Sequence, residues 1–216
     1  NMITINPFSL LSEFIPSIVM QGFVVGMVIL VGLGTVIDAI HKKNVKYFFN
    51  NAKKAKLSAK KNLSLGEKTS VVVKTVATDV LTTAELGAGK RRTAHLLGMY
   101  GTILFWFTSA VMIFCYSSAD SITPNLWPIL WHVGAIMTCL GGYWFWLFLR
   151  VDVSAEGYPW YRIIKADLFV LSLLAAATFG LLWSYTQSSG IYVWDKLFLI
   201  LFIVSNLVLF GGVYWS

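Results

Sequence analysis

Charge is scarce in this sequence. Only 12% of its 216 residues are Asp, Glu, Lys or Arg, while 57% are hydrophobic and the mean hydropathy is +0.70. A soluble domain is about 25% charged, so the composition argues against one and for a polytopic membrane protein. Cysteine is almost lacking too. The two present, Cys115 at the end of one apolar run and Cys139 in the middle of another, make no disulfide framework and read as free, packed thiols. There is no CxxC pair, no phosphate-binding loop, no HExxH and no serine nucleophile beside a base. The chain therefore holds no iron–sulfur cluster of its own. An electron carrier, if it uses one, is a haem or belongs to a partner.

Five apolar windows reach the ~20 residues needed to cross ~30 Å of hydrocarbon. They run from Pro16 to Ile40, Ala94 to Tyr116, Leu126 to Leu149, Ala166 to Tyr185 and Trp194 to Trp215. The first follows no basic region and precedes no small-residue cleavage site, so it reads as a span and not as a signal peptide. The expected fold is an all-α membrane bundle of five spans, one domain over residues 1–216.

The few charges are badly mixed. Of 17 Lys and Arg, 13 lie between His41 and Arg92, so the net charge of +7 is a local feature. Such a run suits a membrane-surface face and not a nucleic-acid site. By the positive-inside rule it is cytoplasmic, as is the loop with Arg150, Arg162 and Lys165, leaving the N-terminus outside and the C-terminus inside. Trp127, Trp131 and Trp194 are expected in the outer aromatic belt, Trp160 and Trp215 in the inner one.

Residues 41–92 read as a basic helical insertion within the membrane domain. Val45, Phe48, Phe49 and Ala52 recur at helical spacing among Lys46, Lys53, Lys54 and Lys56, the pattern of an interfacial amphipathic helix. A break over Asn62-Leu63-Ser64-Leu65-Gly66 precedes a second helix, which Thr69 or Ser70 can cap. Val72, Val76 and Val80 share one of its faces, and Gly87 and Gly89 end it. Gly22, Gly26, Gly98, Gly101, Gly141 and Gly142 are small residues of the kind that let membrane helices approach closely. Gly98 and Gly101 are also the best placed to leave room for a flat tetrapyrrole beside His95.

Ionisable residues inside a span are functional candidates by default. His95 begins the second span directly after Lys90, Arg91 and Arg92, cations able to pair with haem propionates. Its imidazole is a candidate axial ligand for haem iron, the rival role being an interfacial histidine bonded to a headgroup or helix end. His41 could share the iron, although Lys42 and Lys43 favour an interfacial role. His132 lies deeper and nearer the outer surface. It could ligate a second haem, contact a quinone carbonyl or hydrogen-bond another helix. His95 and His132 differ in depth by roughly 15–20 Å at ~1.5 Å per residue, so they do not ligate one iron together. Met20, Met112 and Cys115 are conceivable axial partners. Asp38 and Asp167, near the inner ends of their spans, can be neutralised by water or Lys165 or serve a proton path.

The segments Asp79-Val80-Leu81, Gly89-Lys90-Arg91-Arg92-Thr93-Ala94-His95 and Met99-Tyr100-Gly101 resemble the gamma subunit of respiratory nitrate reductase. They resemble even more the related membrane subunits of heterodisulfide reductase and dissimilatory sulfite reductase complexes. Lys165-Ala166-Asp167-Leu168-Phe169 to Phe179-Gly180 is similar to their fourth span, and the resemblance covers about Val72 to Trp215. It implies a prokaryotic cytoplasmic-membrane subunit with one or two b haems that exchanges electrons between the quinone pool and an iron–sulfur partner. His95 matches the family's second-span ligand, with Arg91, Arg92 and Gly98 around it. The departure is in the fifth span, where relatives carry histidine and this chain has none between Trp194 and Ser216. The second ligand is then expected beyond Ser216 or from His41, or the haem has been lost.

The leading expectation is thus an electron-transfer subunit of an oxidoreductase, not a stand-alone enzyme. The alternative is a cofactor-free accessory subunit that scaffolds a membrane enzyme through its basic helices. A transporter ranks third, since paired broken helices and polar midplane sites are lacking.

Overall fold

The computed structural model describes residues 2–41, 44–58, 64–83, 86, 89–150, 155–159 and 161–212. Among these there is no strand, and five helices are long and apolar enough to cross a membrane. In chain order the helices are α1 (Pro7–Leu11), α2 (Ser17–His41), α3 (Asn44–Ser58), α4 (Leu65–Thr75), α5 (Lys90–Cys115), α6 (Leu126–Trp144), α7 (Asp167–Ser188) and α8 (Tyr192–Gly211). Wider π turns extend α4 over Val76–Leu81 and α6 over Phe145–Leu149. Trp160, Trp215, Gly87, Lys42, Lys43, Asn62, Leu63 and the Val45 side chain lie outside the described residues.

The bundle is built from two antiparallel hairpins, α5/α6 and α7/α8, joined where α6 meets α7. Small residues let α5 and α6 touch backbone to backbone. A Cβ added to Gly101 would lie 2.6 Å from the Thr138 amide nitrogen, and one on Gly134 would lie 2.7 Å from that of Phe105. A Cβ on Gly141 would strike the backbone of Gly98 and lie 2.6 Å from the Ala94 carbonyl oxygen. Gly98 and Gly101 therefore face α6 across a filled seam, the close-approach use of small residues in membrane helices. The α7/α8 hairpin is closed by local chemistry. Gly190, with φ of 70°, ends α7 while Ile191 N–H bonds the Thr186 carbonyl (3.0 Å) and Gly190 N–H that of Gln187 (3.3 Å). This is the Schellman arrangement, which satisfies two helix-end carbonyls. It carries α7 three residues past the apolar window.

The short α1 gives the sequence no hydropathy signal, yet it plugs one end of the bundle. Asn6 caps it by accepting from Phe8 N–H (3.0 Å), with Pro7 at its first position. The Asn6 amide also donates to the Tyr116 carbonyl (2.9 Å) and to Thr123 Oγ1 (3.0 Å), and Gln187 donates to the Pro7 carbonyl (3.1 Å). Phe8 then drops into the core edge-on to Trp131 and Trp183, at 6.0 and 5.6 Å between ring centroids. Trp131 is accordingly a buried core residue, its indole N–H donated to Ser109 Oγ (2.8 Å), and not part of an aromatic belt.

At the opposite end, the start of α4 also departs from expectation. Ser64 and Glu67 form a capping box, the Ser64 hydroxyl accepting from Glu67 N–H (3.2 Å) and the Glu67 carboxylate from Ser64 N–H (2.8 Å). This S-x-x-E signal outweighs the glycine at position 66, because a glycine in the first turn costs less than one mid-helix. The helix ends at Leu81, whose carbonyl accepts from Tyr100 Oη (2.6 Å), while Arg92 Nε donates to the Thr82 carbonyl (2.7 Å). Those two bonds tie the end of α4 to the first turns of α5. Otherwise α3 and α4 stand apart from the bundle, and α2 leans only lightly on α8 and α5.

Candidate functional site

The residues singled out in the sequence do not converge. Arg91, Arg92, His95 and Gly98 share the first turns of α5, with Ala94 buried against α6 and Arg91 and His95 exposed on the outside. Arg92 is half-buried and spends its Nε on the Thr82 carbonyl. His41 is exposed at the last residue of α2. Among the described residues neither His41 nor His95 makes a side-chain hydrogen bond or ion pair, and no group of three His, Cys, Asp or Glu could hold a metal ion. The space beside Gly98 is taken by α6. The described residues thus offer haem one outward-facing imidazole with cations around it, and no enclosed cleft. They do not complete a haem site by themselves.

His132 is built differently. It is 2% exposed and its two ring nitrogens are both engaged, Nδ1 with the Pro128 carbonyl at 2.7 Å and Nε2 with Ser184 Oγ at 2.9 Å. A carbonyl can only accept, so Nδ1 carries the proton and Nε2 accepts from the Ser184 hydroxyl. Ligating iron would break one of these bonds in a buried setting. Of the three roles open to His132 in the sequence, the geometry supplies the helix–helix hydrogen bond, from α6 to α7.

Asp167 is likewise used in packing. It is buried and forms an ion pair with Arg150, while also accepting from Ile164 N–H (2.8 Å). The Arg150 guanidinium lies over the Trp146 ring, 4.0 Å from its centroid. Lys165, which with water is one of the two expected neutralising partners, is exposed. Arginine wins here because its planar fork can pair and stack at once, which an ammonium cannot. The two cysteines are free, Cys115 exposed and Cys139 half-buried.

The feature best suited to a ligand was not legible in any motif. Between α1, α2, α5, α7 and α8 lies a chamber of about 330 Å³. That falls in the range of small-molecule sites, ~300–1,000 Å³. Phe8 and Leu11 of α1 close one end, Phe23, Val24 and Met27 of α2 form one wall, and Trp106, Ala110, Phe202 and Phe210 form much of the other. Only two lining residues, Ser109 and Asn206, have uncharged polar side chains outside the indoles. Ser109 is spent on Trp131 and on the Phe105 carbonyl (2.8 Å), while Asn206 donates to the Phe202 carbonyl (2.8 Å) and keeps its Oδ1 as an acceptor. The indole N–H of Trp106 is buried without a hydrogen-bond partner among the described residues, whereas that of Trp183 is directed at the Asp195 carboxylate. An apolar chamber with a donor and an acceptor on its wall suits a long hydrophobic molecule carrying one or two oxygens.

No protein-family model, no curated protein and no solved structure matches this chain.

Proposed function

We propose that this chain is a membrane-embedded, electron-transfer subunit of a respiratory or redox complex, and that its lateral chamber receives a prenylated quinone. The chamber is the observation that carries this reading. Its apolar walls suit the prenyl tail, and Trp106 Nε1 with Asn206 Oδ1 offers a donor to a quinone carbonyl and an acceptor to a quinol hydroxyl. The charge bias supports an orientation with α3 and α4 on the cytoplasmic side of a prokaryotic cell membrane and α1 outside. An iron–sulfur protein docked on the basic side would exchange electrons with the quinone pool. A b haem, if the complex has one at His95, takes its second ligand from beyond the described residues.

The chamber reading is tested by filling it. Ala110→Trp, which projects an indole into the space lined by α2 and α8, is expected to lower co-purifying quinone about tenfold, ~1.4 kcal/mol, with the bundle still folded. Unchanged quinone in a folded variant would overturn it. The haem is tested separately by a reduced-minus-oxidised spectrum of the purified chain and of His95→Ala. A b-type band lost in the variant places the ligand, and a chain without the band removes haem from the reading. A scaffold without cofactor is the second reading, favoured by the way α3 and α4 stand off the bundle. It requires both tests to come out negative.

A further inference from the structure

We infer that α3 lies along an anionic phospholipid surface, seated on the leaflet from which α2 emerges, as a headgroup-binding helix of this membrane protein. The inference does not rest on the redox reading. Three observations carry it. The first is charge: α3 contains Lys46, Lys53, Lys54 and Lys56 and no acidic residue. The second is an apolar face without a partner among the described residues. Phe48 and Phe49 are 68% and 65% exposed, and they pack edge-on only against each other, 5.8 Å between ring centroids. The third is position, because α2 ends at His41, α3 begins at Asn44, and the two helices touch. A span that ends there leaves the next helix at the level of the headgroups.

Those features fit a lipid surface better than a protein. At 100° per residue Phe48, Phe49 and Ala52 fall within one 100° arc of α3, with Lys46 and Lys53 along one border of that arc, Lys56 inside it near the helix end and Lys54 opposite. Aromatic side chains can then enter the headgroup–acyl boundary while lysine stems reach outward to phosphates. A leaflet of anionic lipid supplies the complementary charge. The neighbouring α4 differs: Val71, Val72, Val73 and Val76 are exposed there, with only Lys68 and Lys74 against Glu67. Its weaker charge gives it no comparable hold on a lipid surface.

The test uses the full chain in vesicles, with Cys115→Ser and Cys139→Ala as background. Phe49→Cys and Lys54→Cys, about 140° apart on the helix, are each labelled with an environment-sensitive fluorophore. In vesicles with ~30% phosphatidylglycerol, the probe at position 49 is expected to be quenched at least threefold more by shallow nitroxide-labelled lipid than the probe at 54. The order should reverse for aqueous iodide. Lys53→Glu with Lys54→Glu and Lys56→Glu, or pure phosphatidylcholine vesicles, should remove most of the lipid quenching. Equal iodide quenching at both positions would overturn the inference. So would protection of position 49 from iodide without quenching by labelled lipid, which would mean that protein covers the face.

Discussion

The α5–α8 core and the α2–α4 segment are made from similar residues yet are held in different ways. In α7, 39% of the most apolar stretch is buried inside the bundle, against 11% in α2, although α2 is the more apolar helix. Apolarity therefore does not decide packing in a membrane, where lipid solvates leucine as well as a neighbouring helix does. What distinguishes the core is small residues in register on α5 and α6, an ion pair across α6 and α7, and an aromatic floor supplied by α1. Three of the four glycines of α2 meet no partner, since a Cβ added to Gly22, Gly26 or Gly32 would touch nothing within 4 Å; the fourth, Gly34, is buried. The chamber lies where the two regions meet, sealed on one side and lightly covered on the other.

The largest expected effect is in the core. Arg150→Met leaves Asp167 buried without its partner and should cost ~3–5 kcal/mol, whereas adding Asp167→Leu should recover much of the loss. Thermal unfolding in detergent measures both, and equal damage by the single and double variants would show that the pair is not the clamp. Next is the seam. Gly101→Leu drives a side chain into the α6 backbone and should cost ~3 kcal/mol or abolish accumulation. Gly26→Leu, the same change on α2, should fall within ~0.5 kcal/mol of the parent. If the two glycines respond alike, the contrast between the regions fails. A smaller effect is expected at His132. His132→Phe should cost ~1 kcal/mol by unpairing Ser184 and the Pro128 carbonyl, in the range of hydrogen bonds between membrane helices, ~0.6–2 kcal/mol. Any haem or quinone carried by the protein should stay, and its loss would mean that the imidazole does more than join helices.

Much of the architecture could be read directly, because hydropathy reports a span without reference to its neighbours. Within the described residues each of the five windows is helical, with ends displaced by a few residues where polar groups set the boundary. The cations Lys90–Arg92 form the first turn of α5 instead of preceding it, and Gly190 delays the end of α7. The start of α4 was also readable, in the S-x-x-E pair Ser64 and Glu67, and the glycine between them obscured it. The pairing of Asp167 with Arg150 and not Lys165 was not readable, since it depends on how the ends of α6 and α7 face each other. Nor was the chamber, whose lining comes from residues between Phe8 and Phe210 with no common spacing.

By itself the sequence determined that this is an all-helical chain with five potential spans and one basic segment, because burial in lipid and attraction to a charged surface act residue by residue. Only the tertiary structure decided what the candidate residues do. It turned His132 into a bridge to Ser184, left His95 on the outer face of α5, filled the space beside Gly98 with α6, and opened the chamber beneath α1. Those outcomes depend on distances between helices, and such distances are set by which small faces meet, a relation between segments that no single stretch of sequence contains.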